Sequence, residues 1–128
     1  VLAEVGERRL RGVGLTGAKA RAVLSAAAAA ADGSLDLAAL ARAPAAEADA
    51  ALRALPGVGP WTAAYVRMRG LGDPDAYPAS DLGVLKALAR RLGRAAVSVA
   101  ESEALAAPWR PWRAYATLHL WQSLSAPA

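Results

Sequence analysis

The stretch Leu55-Pro56-Gly57-Val58-Gly59-Pro60-Trp61-Thr62-Ala63 decides how this chain is read. Its glycines allow a positive φ and let another group approach the backbone closely. Pro60 suits the first position of a helix, so the turn feeds directly into a helix N-terminus. Free N–H groups there, with the positive end of the helix dipole, form a site for an anion. A bare Gly-Val-Gly corner is also an ordinary way to join two helices. A helix is expected before the turn, over 47–55, with Leu52 and Leu55 three apart. A second is expected after it, through Arg69, which makes 47–69 a helical hairpin.

Outward from the hairpin, every expected element is helical. Residues 1–10 read as the end of a helix, broken by Arg11-Gly12-Val13-Gly14-Leu15. Thr16 can cap a helix over 17–31 that stops at Asp32-Gly33. A short helix over 35–42 turns Leu37 and Leu40 inward, and Pro44 stops it. A loop over 70–79 holds Gly72, Pro74 and Pro78. A helix over 81–92 follows, with Leu85, Leu88 and Leu92 on one face, and Gly93 ends it. Residues 102–107 read as a short helical turn, 108–111 as a break, and 112–124 as the last helix. With short connections and no long repeat, this is one small all-α, multi-helix bundle.

Composition agrees. The 128 residues fit one domain. Alanine makes up more than a quarter of them, and it forms helix well while burying little area. The chain has no cysteine, which excludes a disulfide scaffold, a thiolate zinc site, a cysteine nucleophile and an iron–sulfur cluster. A single histidine excludes a three-histidine metal site, and His119 reads as a helix residue that packs or hydrogen-bonds. No run is long enough to cross a bilayer, so no membrane partner is expected. Of the 15 basic residues only Lys19 and Lys86 are lysine, and arginine is the better phosphate ligand. A net charge of +4 permits a nucleic-acid partner without demanding one.

Two further groups could carry chemistry. Asp73-Pro74-Asp75-Ala76-Tyr77-Pro78-Ala79-Ser80 leads to Asp81-Leu82-Gly83. Asp81 alone is an obvious N-cap for the helix after it, with Ser80 a rival cap. Trp61 and Tyr65, four apart, share a helix face. Aromatic rings at helical spacing ordinarily pack as core. Trp109 and Trp112, flanking Pro111, read as packing.

Taken together, these motifs resemble the helix-hairpin-helix (HhH-GPD) DNA glycosylase superfamily. L-P-G-V-G-x-x-T-A is similar to its hairpin, and the Pro-containing loop and Asp81 follow at the family's spacing. The run Trp109-Arg110-Pro111-Trp112-Arg113-Ala114-Tyr115-Ala116, then Leu118-His119-Leu120-Trp121, resembles the end of 3-methyladenine DNA glycosylase II, the AlkA type. Gly14-Leu15-Thr16 and Lys19-Ala20 resemble the helix preceding the hairpin. The likeness covers nearly all of the chain.

The resemblance implies the HhH-GPD glycosylase fold and a repair enzyme that flips alkylated purines of the 3-methyladenine type from double-stranded DNA. Asp81 becomes the catalytic carboxylate, and Trp61, Tyr65 and Trp121 the walls of the base pocket. Amides of Gly57, Gly59 and Thr62, with Lys86, become phosphate contacts, helped by Arg67 and Arg69. Relatives that also cut the strand carry a lysine amine where Trp61 stands, so a monofunctional, hydrolytic enzyme is implied. Backbone carbonyls of Arg53, Leu55 and Val58 are the implied ligands of a structural Na+ or K+. No cofactor is otherwise implied, and no iron–sulfur cluster.

Val1 is not a start methionine, and the family's earlier helices are missing. The chain is therefore expected to be one N-terminally incomplete glycosylase domain over 1–128, a monomer, in the bacterial cytoplasm and nucleoid-associated. The rival reading is a non-catalytic helix-hairpin-helix DNA-binding module, or an inactive glycosylase fragment.

Overall fold

A computed structural model describes residues 1–125. Among them all regular structure is helical. Eight α-helices follow in order: α1 Glu7–Gly12, α2 Gly17–Asp32, α3 Leu37–Leu40, α4 Ala45–Arg53, α5 Pro60–Arg69, α6 Leu82–Leu92, α7 Val99–Ala106 and α8 Arg113–Ser125. Short 3₁₀ turns stand at Leu2–Glu4 and Ala107–Trp109. The residues gather into two compact units, Val1–Gly59 and a second that starts at Pro60. No helix is long and apolar enough to cross a membrane among the described residues.

In the first unit α1 packs on α2. Thr16 starts α2 by accepting the Lys19 amide at 3.3 Å, and Gly33 ends it in the left-handed region, as the sequence suggests. The opening segment differs from expectation. Gly6, at φ 79°, separates the 3₁₀ turn from α1, and α1 runs on through Gly12. α3 is a single turn, capped by Asp36 on the Ala39 amide, and Leu37 is 47% exposed rather than inward.

After α4 comes the turn over 54–59. Gly57 is at φ 79°, and a Cβ there would lie 2.7 Å from the Ala22 Cβ on α2. Glycine is therefore required twice at this point, by conformation and by space. Gly59 is not in the left-handed region, and a Cβ there would meet nothing within 4 Å.

In the second unit α6 lies along α8. Its core is Val84, Ala87, Leu88 and Ala89 of α6, with Val97 and Leu120. Leu88 faces inward as the spacing suggests, whereas Leu92 is 44% exposed at the helix end. Asp81, not Ser80, caps α6. α7 begins at Val99, earlier than expected, because Ser98 and Glu101 form a capping box. Trp109 packs against the core, but Trp112 does not: it is 58% exposed and meets Tyr115 edge-on. The Arg110–Pro111 peptide is cis.

Candidate active site

Local rules place each part of the site. Pro60 opens α5, so Trp61 stands in its first turn and Tyr65 one turn later on the same face. Their rings stack, with centroids 5.2 Å apart and planes 22° from parallel. Trp121, on α8, continues the lane, its ring 6.1 Å from that of Tyr65. Trp61 and Tyr65 are both more than a third exposed, so the lane has an open side.

Asp81 sits beside this lane. Its backbone is extended (φ −64°, ψ 124°), the conformation of a helix N-cap. Oδ1 accepts the Val84 amide at 2.9 Å and the Trp121 indole N–H at 2.8 Å. Oδ2 accepts the Trp61 indole N–H at 2.7 Å. The cap accounts for one oxygen, and the tryptophans hold both. Cap and candidate catalyst are therefore one side chain.

Electrostatics follow from that contact set. Partial burial, the largest single influence, pushes the Asp81 carboxyl up. The Trp121 and Trp61 donors, with the Val84 and Gly83 amides, together outweigh it and hold the carboxyl below the ordinary range. The group is an anion near neutrality, faced by π-systems.

The loop before Asp81 is braced from within the second unit. Asp75 accepts Arg113 Nε and Nη2, each at 2.7 Å, and Arg110 Nη1 at 3.0 Å. The Ala114 amide donates to the Pro74 carbonyl at 2.9 Å. Arg67 on α5 donates to Asp73. Tyr77 shares a 2.7 Å hydrogen bond with Ser102 and packs edge-on against Trp109. Pro78 is fully buried. These contacts fix where the chain enters α6, and hence where the Asp81 side chain points.

The structure brings Asp81, Trp61, Tyr65 and Trp121 together. Thr62 lies beside Trp61 in the first turn of α5, half-buried. Gly57 and Gly59 are exposed in the turn that ends the first unit. Lys86 is exposed on α6 and lines an open cleft with Arg90 and Arg94. Arg67 is engaged by Asp73. His119 is exposed and lines a different cleft, with Arg91 and Trp109.

The resemblance implied a monovalent cation on the backbone carbonyls of this turn. Arg53, Leu55 and Val58 offer hard carbonyl oxygens around one turn, and Leu55 accepts the Val58 amide at 3.2 Å. A carbonyl oxygen has two lone pairs, so that bond leaves one for an ion.

The reading from sequence missed three things. The indole N–H groups act on the carboxylate, which ring spacing cannot reveal. Asp75 and Arg113, 38 residues apart, form the brace. Gly83 packs against both Asp81 and Trp121.

Comparison with known proteins places this geometry in a class. No protein-family model matches the chain. It is 58% identical over 80 residues to the Mycobacterium tuberculosis protein named "Probable bifunctional transcriptional activator/DNA repair enzyme AlkA", a match covering 59% of this chain and 15% of that one. It is 40% identical over 70 residues to the DNA-3-methyladenine glycosylase of Bacillus subtilis, covering 53% of this chain and 23% of the other. The solved 3-methyladenine DNA glycosylase of Archaeoglobus fulgidus superposes with a TM-score of 0.81 at 26% identity, over 94% of this chain and 40% of that one. The fold is thus the helix-hairpin-helix fold of the DNA glycosylases. More narrowly, the chain resembles the AlkA-type 3-methyladenine DNA glycosylases over part of their length. Each match spans less than a quarter of the curated relative's length.

Proposed function

We propose that this chain carries the catalytic part of a monofunctional DNA glycosylase that excises alkylated purines of the 3-methyladenine type. The observation that carries this reading is the Asp81 carboxylate, held by the indoles of Trp61 and Trp121 within one aromatic lane. The relatives' names supply the reaction class, and the residues here supply a way to perform it. The partner is double-stranded DNA containing a damaged base.

A target base inside the duplex must first be flipped out. An N-alkylated purine is cationic, and the faces of electron-rich rings attract a cation. Trp61, Tyr65 and Trp121 therefore select charge and flatness more than a hydrogen-bond pattern. The cationic base is already a good leaving group. As the bond from sugar C1′ to the base nitrogen breaks, its electron pair goes to the base and positive charge develops on the sugar. The Asp81 anion stabilises that charge or orients the attacking water. Water adds to C1′, loses a proton, and leaves an abasic sugar. Trp61 has no amine to attack C1′, so no lyase step follows.

The amides of Gly57, Gly59 and Thr62 bind backbone phosphate, and Lys86 adds a longer-range contact. The carbonyls of Arg53, Leu55 and Val58 would hold Na+ or K+, supplying positive charge beside the phosphate. We read 1–128 as part of one glycosylase domain of a monomeric bacterial protein acting in the cytoplasm, at the nucleoid.

The test is incubation of the full gene product with duplex DNA bearing one 3-methyladenine, with and without later alkali. Base release with strand cleavage only after alkali is expected. Cleavage before alkali would overturn the hydrolytic mechanism, and no release would overturn the function.

A further inference from the structure

Gly83 is the second residue of α6 and has an ordinary, not left-handed, φ. Its backbone conformation therefore does not ask for glycine. Helix propensity argues against it as well, since alanine is better by up to about 1 kcal/mol. What the position does ask for is space. A Cβ there would lie 3.0 Å from Asp81 Oδ1, 3.2 Å from Trp121 Cδ1 and 3.3 Å from Trp121 Nε1. The last atom and Oδ1 are the donor and acceptor of one hydrogen bond, 2.8 Å long. An added methyl would press on both ends of that bond at once.

We propose that Gly83 is a positioning residue that acts on the hydrogen bond between Trp121 and Asp81. Its missing side chain lets the Trp121 indole close on Oδ1. That bond and the Val84 amide then fix the plane of the carboxylate from one side. Oδ2 is left on the side of the exposed Trp61, where an incoming base and sugar arrive. Gly83 touches no substrate in this arrangement. It determines whether the carboxylate is held at the right angle. The inference rests on the reading of Asp81 as the reacting carboxylate.

A double-mutant cycle on the full gene product tests it, because residues acting through one contact are not additive. The readout is the single-turnover rate of base release from a 3-methyladenine duplex, with protein in excess, alongside thermal melting. Gly83→Ala is expected to slow release about tenfold, the scale of one hydrogen bond to a charged group, with no fall in Tm. Trp121→Phe is expected to slow it at least as much. The double variant is expected to be no slower than Trp121→Phe alone. Should Trp121→Phe not fold, Trp121→Tyr takes its place in the cycle. Multiplicative losses, or a wild-type rate for Gly83→Ala, would overturn the proposal. Asp81→Asn run in parallel separates the two levels. If it keeps full activity, the proposed function itself fails. If it is inactive while the losses multiply, only the role of Gly83 fails.

Discussion

At the scale of single residues, the economy of the site lies in Asp81, which caps a helix and presents an anion to an aromatic lane with the same two oxygens. Its donors hold the carboxyl below the usual range despite its burial. In the proposed mechanism the active form is the anion, so a lowered pKa would extend activity toward acid. A pH profile of single-turnover base release is expected to stay flat down to about pH 4, the ordinary carboxylate value, and to fall only below it. A midpoint near 6 would contradict these contacts. The aspartate and the three rings were legible as residue types at helical spacing. The bonds between them were not, because they join side chains 20 and 40 positions apart. Trp112 shows the opposite limit. A tryptophan beside a proline reads as core, yet its place at the start of α8 turns the ring outward.

At the scale of elements, two devices set the geometry. The first is the loop between α5 and α6, tied down by Asp75. Arg113, the nearest hydrogen-bond donor, lowers the Asp75 carboxyl against the opposing effect of burial, and Arg110 adds to it. Asp75→Ala is expected to cost about 2 kcal/mol in denaturant unfolding, because it leaves a largely buried guanidinium without its carboxylate. The folded pKa lies below the unfolded one, so this stability is fully present above the ordinary carboxylate pKa. It disappears as pH falls through the folded value, and the wild type should converge on the variant at the acid end. The second device is the turn at Gly57. Gly57→Ala must adopt φ 79° and push against Ala22, which should destabilise the first unit by about 1–3 kcal/mol in a thermal or urea melt. The sequence marked helix ends well where Gly, Pro or a capping residue punctuated them, as at Thr16, Gly33, Asp81 and Gly93. It missed the start of α7, although Ser98 and Glu101 spell a capping box three residues apart. The loop's ion-pair brace had no local signal, since its strongest pair is formed only when α8 arrives.

At the scale of the whole molecule, the boundary between the two compact units falls inside the hairpin motif. The carboxylate and its rings are all in the second unit, and the turn amides are in the first. Cysteine is absent from these 128 residues, so they offer no thiolate ligand to an iron–sulfur cluster. The modest net charge of +4 is compatible with DNA as partner, because backbone amides bind phosphate without formal charge. The chain matches only part of its curated relatives, and the decisive measurement is made on the full gene product. Base release from a single 3-methyladenine duplex is compared for the wild type and Asp81→Asn, a change that keeps size and the helix cap but removes the charge. The account predicts a loss of at least about a hundredfold in single-turnover rate, with DNA binding and melting temperature essentially retained. Equal rates for the two proteins would contradict it.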